Sequence, residues 1–104
     1  MGSTSRQGGE QVAERTERRE KEPDQHQVVL LNDDYTTMEF VMEVLETLFH
    51  KSPAEAYRIM LMVHTQGRGV CGVYTWEVAE TKADAVVALA QQAGFPLRAV
   101  VEEA

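Results

Sequence analysis

The chain has one cysteine, one tryptophan, three prolines and fewer basic side chains than acidic ones, and each scarcity closes off a class of function. Cys71 stands alone, so neither an internal disulfide nor a Cys-rich zinc site is expected, and a reducing compartment fits. Ten Lys and Arg against 17 Asp and Glu leave a net charge of −7. That balance argues against phosphate-neutralising nucleic-acid binding and against an anionic membrane surface, and it favours neutral or cationic partners. No apolar run approaches the roughly 20 residues that span a bilayer. The start, Met-Gly-Ser-Thr-Ser-Arg, has no apolar stretch of a secretory signal, and Arg6 breaks the myristoylation pattern. A cytoplasmic protein is expected. With only 104 residues, a two-domain enzyme is excluded.

Catalytic groups are equally scarce. Ser52 reads as a helix cap, and no Gly-x-Ser-x-Gly elbow occurs. Cys71 with His64 is the one conceivable thiol–imidazole pair, but Cys71 lies among valines and reads as a buried structural thiol. Asp33 and Asp34 with a histidine lack any metal-ligand spacing. Neither an enzyme, a cofactor nor a metal site is expected.

What is present divides sharply near residue 27. Residues 1–26 hold three apolar side chains, whereas residues 27–104 hold 42. The first segment mixes five basic with six acidic residues, has nothing to collapse around, and is expected to be a disordered arm. The body, 27–104, carries five basic and eleven acidic residues, so the acidity belongs to the part that folds.

Within that body, Gln27-Val-Val-Leu-Leu31 predicts a strand that stops at the turn-forming Asn32-Asp33-Asp34. Thr36 and Glu39 are spaced as a capping box opening a helix that runs to about His50. Ser52, Pro53 and Glu55 open a second helix, with Tyr57, Met60, Leu61 and His64 on one stripe, ending near Gly67. Gly69–Tyr74 reads as a strand with a bend or close approach at Gly72. Thr75 caps a third helix, Trp76 to about Ala93, whose apolar side is Val78, Ala85, Val86, Leu89 and Ala90, closed by Gly94 and Pro96. Leu97–Glu102 completes the order β-α-α-β-α-β. The expected fold is α+β: a two-layer α/β sandwich with a small antiparallel sheet covered on one face by three helices.

Asn32-Asp33-Asp34, between a strand and a helix start, allows two readings. One is a turn whose acids offset the helix dipole, worth roughly 0.3–1 kcal/mol. The other is a small site for an ammonium group.

Three ordered motifs bear on that choice: Val29-Leu-Leu-Asn-Asp-Asp-Tyr-Thr-Thr-Met-Glu-Phe-Val41, Ile59-Met-Leu-Met-Val-His64, and Gly67-Arg-Gly-Val-Cys-Gly-Val-Tyr-Thr-Trp-Glu-Val-Ala-Glu-Thr-Lys82. From about residue 27 to the end, the chain resembles the ClpS adaptor family. The resemblance implies an N-degron adaptor, which binds proteins bearing destabilising N-terminal residues (Leu, Phe, Tyr, Trp) and hands them to the N-domain of a ClpA-type AAA+ unfoldase. It implies that Asn32, Asp33 and His64 surround the substrate's α-amino group, with Asp34 and Thr36 on its first backbone groups. Leu31, Met38, Val41, Met60, Val63 and Leu97 would wall a pocket for the first side chain, Met38 rejecting β-branched residues. Glu77 and Lys82 match the family's unfoldase-docking positions, and the arm would engage the unfoldase during delivery. A monomer is expected. Two departures from the family pattern are Thr37, where proline is usual, and Trp76, where a smaller residue is usual. An interaction module or unfoldase modulator without N-degron recognition is the alternative.

Overall fold

The computed structural model describes residues 24–104, so the expected arm lies outside the described residues except for its last three positions. Six elements follow in the expected order: β1 (His26–Leu31), α1 (Met38–Thr47), α2 (Pro53–Gln66), β2 (Arg68–Tyr74), α3 (Trp76–Ala93) and β3 (Arg98–Glu103). β1 is central in a three-stranded antiparallel sheet of order β2-β1-β3. Val28 and Leu30 point from it into a core completed by Cys71 and by the apolar faces of all three helices. This is the expected α+β two-layer sandwich.

Among the described residues no helix covers the opposite face of the sheet, yet Val29 is 0% exposed. Its cross-strand neighbours are Val70 and Val100. Arg68 pairs with Leu31 on one side of it and Glu102 with Gln27 on the other, so the two charged residues are diagonal across Val29. The Arg68 guanidinium donates to both Glu102 carboxylate oxygens, at 2.7 and 3.0 Å, and Gln27 Nε2 donates to the same carboxylate. A planar bidentate pair thus roofs the apolar strip that a third layer would otherwise cover.

Local chemistry accounts for the element boundaries, with some departures from expectation. α1 is capped by Thr37, whose Oγ1 accepts from the Phe40 amide at 3.1 Å, and not by Thr36. Asp33 has already taken the Thr36 hydroxyl, so the cap moves one residue on. The same helix ends at Thr47 because the chain turns at Leu48 and then enters a positive φ of 57° at His50. On α2, Ser52 and Pro53 begin the helix and Gly67, at φ 90°, ends it as expected. Its buried stripe, however, is Ala56, Ile59, Met60 and Val63, whereas Tyr57 is 55% exposed. The face is rotated by one residue, about 100° of helix, from the expected one. α3 buries Ala79, Ala83, Val86 and Ala90, and Val78 is 44% exposed. Small side chains one turn apart let this helix lie close to the sheet, a preference that hydrophobicity alone does not reveal. Thr75 makes no side-chain cap; the Asp24 carboxylate accepts from the Trp76 amide instead, at 3.3 Å.

The irregularity expected at Gly72 is a β-bulge: Val28 pairs with Gly72 and Val29 with Val70, leaving Cys71 as the extra residue, turned into the core. A Cβ on Gly72 would collide with the Tyr74 ring.

Candidate functional site

The turn after β1 is built by one carboxylate. Asp33 Oδ1 accepts from the amides of Tyr35 (2.8 Å) and Thr36 (2.7 Å), and Oδ2 accepts from the Thr36 hydroxyl (2.6 Å). This is the Asx-turn reading of the acidic triplet, realised in full. Burial works against the ionised form, but the Thr36 hydroxyl, the Thr36 and Tyr35 amides and the charge of Arg98 outweigh it and hold the carboxyl below its ordinary value. A depressed carboxylate stabilises the fold above the unfolded-state value, about 3.9, and the contribution disappears as pH falls through the lower folded value. The turn is therefore intact throughout the neutral range.

The Asn32 amide donates to the Gly67 carbonyl at 3.0 Å, tying the start of this turn to the end of α2. The result is an open recess between turn, α1 and α2, lined by Asn32, Thr36, Met38, Val41, Met60, Val63 and His64. Val41, Met60 and Val63 are buried at its floor, while Met38 is 44% exposed at its edge. Asn32, Thr36 and His64 supply oxygen and nitrogen acceptors on the rim. An apolar hole with convergent acceptors is fitted to a group that is apolar at one end and cationic at the other.

Seven of the eleven expected binding residues thus meet in one place. Asp33 does not line the recess; it holds Thr36 in position and adds negative charge behind the rim. Asp34 is exposed on the turn. Leu97 is buried in the main core, and partly buried Leu31 lies on the Val29 side of the sheet; neither lines the recess. Cys71 does not approach it either, and burial pushes that thiol up to about 12, which keeps it protonated and unreactive at neutral pH. Two contributors had no signature in the sequence. Arg98 reaches the turn because antiparallel pairing sets it opposite Leu31. Gly69 leaves room for Val63, since a Cβ there would lie 2.7 Å from Val63 Cγ2.

At the other end of α1, Lys82 is not a free surface cation. Its Nζ donates to the Leu48 carbonyl at 2.8 Å, and stands 5.4 and 5.6 Å from the centres of the Tyr74 and Phe49 rings. It closes the C-terminal end of α1, where cations complement the helix dipole. Lys82→Ala is expected to lower stability by about 1–3 kcal/mol, the range for a hydrogen bond to a charged group with its cation–π contacts. Urea unfolding of the two proteins measures this, and equal midpoints would leave Lys82 no structural role. Glu77 is exposed in the first turn of α3.

Comparison with known proteins bears on what this arrangement serves. Residues 21–100 match the family model described as ATP-dependent Clp protease adaptor protein ClpS. The chain belongs to the ClpS adaptor family. A ClpS adapter protein from Wolinella succinogenes is 56% identical over 82 residues, covering 79% of this chain and 80% of the relative. Another from Paraburkholderia xenovorans is 53% identical over 93 residues, 89% of each. Among solved structures, Agrobacterium tumefaciens ClpS2 bound to L-phenylalaninamide superimposes with a TM-score of 0.75 at 42% identity, over 78% of this chain and 98% of that one. The protein is a Clp protease adaptor, and the Clp protease is its partner. No helix among the described residues is long and apolar enough to cross a membrane.

Proposed function

We propose that this ClpS-family adaptor captures proteins by their N-terminal residue, with the α-amino group on the rim and the first side chain in the recess, and delivers them to a ClpA-type AAA+ unfoldase. The observation that carries this reading is the convergence of Asn32, Thr36 and His64 with Met38, Val41, Met60 and Val63 around one opening. An N-terminal ammonium brings three donors and a positive charge; the rim brings acceptors, and Asp33 and Asp34 the complementary field. Phenylalaninamide, the ligand of the Agrobacterium relative, has the same two ends: a free α-amino group and an apolar side chain. Glu77, with Lys82 held against α1, would belong to the face that meets the unfoldase N-domain. A monomeric, cytoplasmic adaptor whose N-terminal arm assists delivery fits this role.

Burying a Leu or Phe side chain contributes about 1.5–3 kcal/mol and each charge-assisted hydrogen bond a similar amount. Less the cost of association, micromolar binding, about −8 kcal/mol, is expected. Fluorescence anisotropy with labelled peptides beginning Phe, Leu or Val tests the pocket. Phe and Leu should bind and Val should bind at least about tenfold more weakly, because branching at Cβ meets Met38 at the entrance. Equal affinities for all three would remove the side-chain pocket from the account.

His64→Ala is expected to weaken binding of a Phe-initiated peptide at least about tenfold, because the ammonium loses one acceptor on the rim. The same anisotropy measurement checks it, and unchanged affinity would take His64 off the ligand.

A further inference from the structure

The recess occupies one end of a longer groove. α1 and α2 form a hairpin through the short connection 48–52, so they run antiparallel, and the recess joins the start of α1 (Met38, Val41) to the end of α2 (Met60, Val63, His64). Beyond it the groove runs toward the start of α2. There the fold leaves two large side chains of α2 to solvent: Tyr57 is 55% and Leu61 37% exposed. Tyr57, Leu61 and His64 are spaced i, i+4 and i+7, so they stand on one stripe of the helix. His64 lines the recess and the other two do not. Arg58, the one arginine of α2, is turned to Glu55, whose Oε1 accepts from its Nε at 3.2 Å, and the stripe stays uncharged.

We infer, resting on the reading that the recess takes the first residue of a peptide, that Tyr57 and Leu61 form a subsite for the third residue and favour an apolar side chain there.

Direction and spacing both lead to this assignment. The Asn32 amide is bound to the Gly67 carbonyl, so the turn stands against the C-terminal end of α2, and a chain that starts at His64 has the rest of the helix in front of it. With a rise of about 1.5 Å per residue, Leu61 lies about 4.5 Å and Tyr57 about 10.5 Å along α2 from His64. An extended peptide advances about 3.4 Å per residue and turns alternate side chains to opposite faces. Its first and third side chains share a face about 6.8 Å apart, which brings the third between Leu61 and Tyr57 while the second faces solvent. Tyr57 offers an aromatic surface and Leu61 an aliphatic one, so the match is to Leu, Met or Phe, with water released from both partners on contact.

Competition against a labelled Phe-initiated peptide tests the subsite. The competitors are phenylalaninamide and peptides beginning Phe-Ala-Ser, Phe-Ala-Leu and Phe-Leu-Ser, each followed by the same polar sequence. Leu at the third position should tighten binding about fivefold over Ser, the effect of partly burying one aliphatic side chain. Leu at the second position should change it by less than about twofold, because that side chain faces solvent. The double variant Tyr57→Gln/Leu61→Gln keeps helix-forming residues at both exposed positions. In it the third-position preference should fall below about twofold, while phenylalaninamide, too short to reach the stripe, competes as it does with the wild type. A preference that persists in the double variant, or a second-position effect as large as the third, would overturn the subsite. So would equal affinities for Ser and Leu at the third position while phenylalaninamide competes. Phenylalaninamide that fails to compete with the wild type would overturn the recess reading itself, and the subsite with it.

Discussion

Acetylating the α-amino group of a Phe-initiated peptide is expected to weaken its binding by at least about 100-fold, with the side chain and the rest of the peptide unchanged. The acetyl group removes the positive charge and leaves one amide donor in place of three ammonium donors. Asn32 and His64 then lose a charged partner, and hydrogen bonds to charged groups contribute about 1.5–3 kcal/mol each. Losing the equivalent of two such bonds exceeds the roughly 1.4 kcal/mol per tenfold of affinity by enough to reach that factor. The added carbonyl also brings a lone pair toward Asp33 and Asp34, whose charge favours the ammonium. Competition anisotropy with the free and acetylated peptides measures it. Equal affinity would mean that the recess grips a side chain without reading the terminus, and a module without N-degron recognition would then be the better description.

Gly69→Ala is expected to destabilise the fold by about 1–3 kcal/mol, the range for overpacking a filled core. The new Cβ would stand 2.7 Å from Val63 Cγ2, 3.1 Å from the Ile59 carbonyl and 3.2 Å from Ile59 Cγ2. Val63 and Ile59 are buried, so neither side chain can swing away without displacing others, and the carbonyl belongs to the α2 backbone. The strain falls on Val63, which lines the recess, so peptide affinity should drop along with the melting temperature. About 1 kcal/mol corresponds to roughly 4–8 °C in a domain of this size. A double-mutant cycle separates the clash from the general loss of glycine: Val63→Ala opens a space that the methyl introduced by Gly69→Ala partly fills, so the two substitutions together should destabilise less than their sum. Strict additivity would show that β2 and α2 accommodate the methyl elsewhere.

Both expectations depend on features that differ in how openly the sequence displays them. Asn32, Thr36, Met38, Val41, Met60, Val63 and His64 are singled out by the resemblance that three short ordered motifs carry, whereas turn and capping chemistry by itself marks only the turn and the helix starts. The roles of Asp33 and Lys82 could not be separated there. An aspartate that builds a turn and one that meets a ligand look alike until its oxygens are seen taking two amides and a hydroxyl. A lysine on a polar helix face looks free until a carbonyl from another element, Leu48, is found beneath it. The resemblance places Leu97 and Leu31 among the pocket walls, yet neither lines the recess: Leu97 is buried in the core and Leu31 lies on the Val29 side of the sheet.

The number, order and type of the elements, the restriction of the core to the apolar body, and the acidic turn between strand and helix were all legible in the amino acids alone. Each is set by interactions within a few residues: capping hydroxyls, a proline at a first helical position, glycines at helix ends, and alternation or helical spacing of apolar groups. Packing was needed to settle which helix face is buried, that Ala79 and Ala83 rather than Val78 meet the sheet, and that Arg68 and Glu102 roof Val29 in place of a third layer. Packing also made Asp24 the cap of a helix 52 residues away. Those outcomes depend on strand register and on how closely two elements approach, quantities fixed by the simultaneous fit of residues distant in the chain.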